Sequence, residues 1–189
     1  MTKEILKLSA TFLGLYDVVA YLNNPTQSMS EDTKNQLDEL LIYMNYILRE
    51  VTKEYYPLSC EEEVYSNSQC EILFSNFTKN IISIKSVLND NNIATYNIYP
   101  TYIKVGRPNT KYKVSFNYVL DSVKSIDSEI VLPLGLEPFI ISYGIASEYA
   151  TSKLQYDEAN MWESKFKNAL QSLKFRVIER KFNSRRLKW

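Results

Sequence analysis

The fold turns on Tyr143–Leu170, YGIASEYATSKLQYDEANMWESKFKNAL. In and around it, Ile140, Tyr143, Gly144, Ser147, Ala150, Thr151 and Leu154 recur at steps of three and four. So do Ala159, Trp162, Phe166, Ala169, Leu170 and Leu173. That period marks helices that pack through one side. Leu154-Gln-Tyr156 interrupts the pattern and Asp157 follows as a cap, so the stretch predicts two consecutive helices. The first begins after Leu132-Pro-Leu-Gly-Leu-Glu-Pro138, where a proline suits a first turn. Small residues at Gly144, Ala146 and Ser147 leave room for a ligand or for another helix, and close helix packing is the stronger reading. Trp162 and Phe166, one turn apart, read as core rather than as a base-stacking platform.

Toward the N-terminus, Ile5, Leu8, Phe12, Leu15, Tyr16, Val19 and Leu22 predict one helix, ended by Asn23-Asn-Pro25. Ser28 or Ser30 then offers an N-cap, and Leu37, Leu40, Leu41, Met44, Ile47, Leu48 and Val51 predict a second helix that stops before Tyr55-Tyr56-Pro57. Between these helices and the later pair the period falls to two. Short β-branched and aromatic runs (63–65, 72–74, 82–86, 96–99, 102–105, 112–118) are separated by the turn signals Asn67-Ser68, Asn89-Asp-Asn-Asn92 and Gly106-Arg-Pro-Asn109. They predict a small antiparallel sheet over about 61–120. The expected architecture is therefore mainly α within an α+β class. It is a four-helix bundle from 1–58 and 132–174, with a β-rich insertion at 59–131 and an extended basic tail at 175–189.

At 189 residues, 45% of them hydrophobic, the chain can bury a real core. It has no histidine, which removes imidazole bases, His metal ligands and Ser-His or Cys-His pairs. Its four glycines form neither common phosphate loop. No cofactor, metal or catalytic residue is expected, and the chain does not read as an enzyme. Glu61-Glu62-Glu63 is the densest carboxylate run, but adjacent strand residues alternate faces, so a solvated strand edge is expected rather than a cation site. Asn76-Phe-Thr78 matches a glycosylation sequon in a chain without a recognisable secretion signal and reads as chance. Cys60 and Cys70 lack metal-site spacing and are expected to be reduced thiols in a soluble intracellular protein. No run approaches the length of a membrane span.

Charge is unevenly placed. The 22 basic and 22 acidic residues cancel, yet from Lys174 onward seven Lys/Arg stand against Glu179 alone, a net +6 that leaves about −6 on the rest. Basic residues near a helix C-terminus complement its dipole. The final Arg185-Arg186-Leu187-Lys188-Trp189 instead offers planar guanidinium donors and a large ring, typical anchors for a protein partner. Contact with nucleic acid through this basic segment is the alternative.

The stretches EILKLSATFLGLYDVVAYL (4–22), LLIYMNYILREVTKEYYPLSCEEEV (40–64), NIISIKSV (80–87), YNIYPTYIKV (96–105), KYKVSFNYV (111–119) and the helix pair from Leu132 to Leu170, closed by a basic C-terminus on Trp189, cover nearly the whole chain. In this order they resemble the head-to-tail connector (adaptor) proteins of tailed bacteriophages, ring proteins that bind beneath the portal. In that family the ending is commonly two arginines followed directly by tryptophan, whereas here Leu187-Lys188 stands between them. The resemblance implies a non-enzymatic virion component at the head-tail interface, assembled in the host cytoplasm as a homo-oligomeric ring of twelve copies. Its partners would be the portal on one side and a downstream tail or neck protein on the other. Double-stranded DNA would pass through the ring without specific binding, and no membrane would be involved. By matching position, portal docking falls to the arm from Phe175, through Arg176, Arg180, Lys181, Phe182, Arg185, Arg186, Leu187 and Trp189.

Overall fold

The structure, a computed structural model, describes residues 1–25, 28–133 and 135–182, the side chains of 174–182 excepted. The chain divides into two compact units. One is made by Met1–Leu48 with the chain from Ser122 onward, the other by Arg49–Asp121.

The helical unit corrects the N-terminal expectation. The single predicted helix is two, α1 (Thr2–Phe12) and α2 (Tyr16–Asn23). Gly14, at φ +67°, ends α1 in a Schellman turn, with Gly14 N–H donating to Thr11 O and Leu15 N–H to Ala10 O at 2.9 Å. The apolar spacing runs through this turn and so conceals it. The buried face also differs from the predicted stripe: it is Thr2, Ile5, Leu6, Ser9 and Ala10. The hydroxyls of Thr2 and Ser9 are satisfied there by the carbonyls of Ser128 and Ile5.

Helix α3 (Glu31–Glu50) starts at Ser30, whose hydroxyl accepts the Thr33 N–H at 3.1 Å. Leu37, Leu40, Met44, Ile47 and Leu48 form its buried face as the periodicity predicts. The helix then widens into one π turn, Val51–Tyr55, closed by Tyr56 N–H on Val51 O just before Pro57. Helix α4 (Pro138–Ser152) does begin on its proline. It packs against α1 and against α5 (Tyr156–Phe182), and residues on nearly every side of it are buried, Ile140, Ile141, Ile145, Ala146 and Ala150 among them.

In the other unit, β1 (Leu58–Tyr65), β3 (Asn80–Asn89), β4 (Asn92–Ile93) and β7 (Lys111–Val119) form an antiparallel sheet ordered β1-β7-β3-β4. A second antiparallel sheet is ordered β2-β6-β5, from β2 (Glu71–Leu73), β5 (Asn97–Ile98) and β6 (Tyr102–Lys104). The single sheet expected from the sequence is therefore two. In β7 the alternation is clean: Tyr112, Val114 and Phe116 turn inward, Lys111 and Lys113 outward. The inward residues join Val64, Ile72, Val87, Ile103 and Val105 in one core fed by both sheets.

The four-helix bundle is thus overturned. Among the described residues, five α-helices and two antiparallel sheets make an α+β fold, and the glycine turn at residue 14 divides the expected first helix in two. No helix among the described residues is long and apolar enough to cross a membrane.

Candidate docking surface

The candidate site is the basic end of α5, and the packing at its start explains its direction. The α4–α5 connection is a Schellman turn in which Gln155 N–H donates to Ala150 O at 2.9 Å and Leu154 takes φ +61°, an unusual conformation for leucine. Helix α5 follows at once, its first turn carrying Asp157 and Glu158 on the favourable end of the dipole. Ala159, Trp162, Phe166 and Leu170 then bury one face.

That face locks into the rest of the helical unit. The Trp162 ring stacks on Phe12 (centroids 4.9 Å apart) and Tyr143 (5.7 Å), and its indole N–H donates to Glu158. Lys165 sits 4.1 Å above the same indole. Ser147 donates to Ala159 O at 3.1 Å, tying α4 to the first turns of α5. Trp162 and Phe166 are therefore core, as their spacing predicts.

Gly144 likewise serves packing, because a Cβ built on it would lie 2.9 Å from two carbons of Ile47 on α3. Between the two helices of the hairpin, Glu148 has its pKa raised above the usual carboxylate range by burial, and further by the charge of Glu163.

The last buried residue of α5 among the described side chains is Leu170, yet the helix continues to Phe182. Arg176, Arg180, Lys181 and Phe182 lie on that continuation, their side chains outside the description. Arg185, Arg186, Leu187 and Trp189 lie outside the described residues altogether.

The carboxylate run behaves as a strand edge. Glu61 and Glu63 face one way from the outer strand β1, to Lys113 and Lys111 of the neighbouring β7. The Lys113 ammonium and the Ser115 hydroxyl hold the Glu61 carboxyl below its ordinary pKa. Glu62 faces the other way and accepts the N–H and hydroxyl of Thr78. Among the described residues no group of three His, Cys, Asp or Glu side chains gathers as a metal site, and Cys60 and Cys70 are free thiols.

Two turn signals that carried no functional meaning in the sequence meet in the structure. Asn89, Asp90 and Asn92 from one turn and Gly106 and Arg107 from the other line a common cleft of about 350 Å3 together with the strand residue Tyr112. Pairing of separate turns depends on register, which local spacing does not encode. In comparison with known proteins, no family model matches the chain and no curated protein shows significant similarity to it.

Proposed function

We propose that the chain is a head-to-tail adaptor of a tailed bacteriophage, a non-enzymatic virion component. It assembles as a ring beneath the portal and fastens to it through the basic segment that continues α5. The reading rests on the resemblance of the ordered helix, strand and helix stretches to that family. The observation that carries it is the continuation of α5 for twelve residues beyond Leu170, into a stretch with a strong positive charge.

A strongly basic segment beyond the last described buried residue of α5 suits a partner's surface, and repetition around a ring multiplies weak individual contacts into firm attachment. The acidic excess elsewhere in the chain suits a channel that must let DNA slide, since a basic lining would bind phosphates. The experiment is a pull-down on purified portal rings with the full chain and with a variant ending at Leu173. Binding by the full chain alone is expected, and equal binding by both would overturn the docking assignment.

The same charge also favours the second reading, nucleic-acid binding. That reading predicts retardation of duplex DNA that collapses between two ionic strengths and vanishes in the truncated variant.

A further inference from the structure

We propose that the cleft of the β unit binds a small neutral saccharide. This is independent of the docking assignment. One rim is a type I′ hairpin: Asn89 pairs with Asn92, and the two residues between them, Asp90 and Asn91, take φ +48° and +65°. The turn fixes Asn89, Asp90 and Asn92 along the cleft. Asn89 donates its amide to Lys111 O at 3.1 Å and Asn92 donates to Asp90 O at 3.3 Å, leaving both side-chain carbonyls as acceptors.

The other rim is built around Arg107. Its N–H donates to the Tyr112 hydroxyl oxygen at 3.1 Å, and its carbonyl accepts from the Ser66 hydroxyl at 2.8 Å. Tyr112 and Ser66 are almost wholly buried, so the backbone here is held from both sides by rigid groups. The Arg107 side chain lines the cleft and forms no ion pair or hydrogen bond with any of the described residues. The proton of the buried Tyr112 hydroxyl has no acceptor among them either. A buried hydroxyl proton ordinarily has a partner, whereas the guanidinium, on an exposed residue, is open to solvent or to a ligand.

The chemistry of the rims selects the ligand. Asp90 and Arg107 line one cleft without forming an ion pair. A simple anion would meet Asp90, and a simple cation would meet Arg107, each at a cost in charge repulsion. A ring of hydroxyls, every one both donor and acceptor, suits the two together. It donates to Asp90 and the Asn carbonyls, and it accepts from Arg107 and Tyr112. Ile93, 85% exposed on the hairpin, offers an apolar surface for the C–H face of a sugar. The volume lies at the low end for small-molecule sites and suits one or two rings. In so open a cleft a weak affinity, in the millimolar range, is expected.

Titration of the 15N-labelled full chain with lactose, maltose and N,N′-diacetylchitobiose tests this. At least one sugar should give saturable amide shifts confined to 89–95 and 106–112. Arg107→Ala and Asp90→Asn, both exposed positions, should each weaken the response by roughly tenfold or more with an unchanged melting temperature. Sodium acetate, inorganic phosphate and glycine serve as competing probes. Saturation by one of these instead of a sugar, silence with all three sugars, or an undiminished response in Arg107→Ala would overturn the proposal.

Discussion

Gly144 and Ile47 show how one missing methyl group sets the distance between two helices. With a Cβ only 2.9 Å from Ile47 Cδ1 and Cγ2, and 3.1 Å from Cγ1, the clash involves the body of the side chain and not merely its flexible end. Gly144→Ala should therefore cost about 1–3 kcal/mol in urea denaturation, despite the better helix propensity of alanine. Adding Ile47→Val should return part of the loss, so that the double variant is more stable than additivity allows. Strict additivity would mean that the two residues do not meet. Asn45 acts on backbone instead: its amide donates to Val123 O at 2.9 Å and its carbonyl accepts Val123 N–H at 2.7 Å. Asn45→Ala strands both groups and should cost about 1–3 kcal/mol by the same measurement. The glycine's packing role was legible in a run of small residues. The partner Ile47 was not, because periodicity names a face and not the neighbour against it, and Asn45 carried no signal at all.

At the scale of elements, the α4–α5 hairpin was largely legible, with Pro138 at its start; the break falls at Lys153–Gln155, one residue before the expected one, so that Tyr156 opens α5 and Asp157 lies in its first turn rather than capping it. The first helix was misread because Gly14 falls between apolar positions that stay in phase on either side of it. A turn made by one residue's left-handed conformation leaves a spacing pattern intact. Strands were legible by alternation, but their division into two sheets follows from pairings such as Ile72 with Ile103, which are set by tertiary contact. The hairpin of α4 and α5 also carries a pH response. Glu148 has its pKa raised in the folded state, above the ordinary 4.5, by burial and by Glu163. Its contribution to stability is therefore full at pH values below the unfolded pKa and is lost as pH rises through the folded one. Glu148→Gln should leave the melting temperature near that of the parent at low pH and raise it at neutral pH. A difference that shrinks as pH rises would reverse the assignment. In the β3–β4 turn, where Asp90 and Asn91 both occupy the left-handed region, Asn91→Gly should stabilise by about 0.5–1 kcal/mol, read as a higher urea midpoint.

Across the whole molecule the charges are sorted by unit. Residues 49–121 carry eight basic and eight acidic side chains and are neutral; the helical unit up to Leu173 carries thirteen acidic against seven basic, a net −6. The compensating +6 lies wholly in the sixteen residues that follow. This sorting was legible from the sequence, as was the buried face of α5 through Leu170. What the basic segment meets was not, because a run of charge carries no periodicity that names a neighbour. Were the segment part of the core, removing it would unfold the helical unit. If it serves only to reach a partner, the rest should stand without it. A variant ending at Leu173 keeps every described buried side chain. It should melt cooperatively within a few degrees of the full chain, yet elute from a cation-exchange column at far lower salt. The two readouts separate the roles: a large fall in melting temperature would make the segment structural, whereas unchanged elution would mean that its charge is already neutralised within the chain, leaving nothing for a partner to bind.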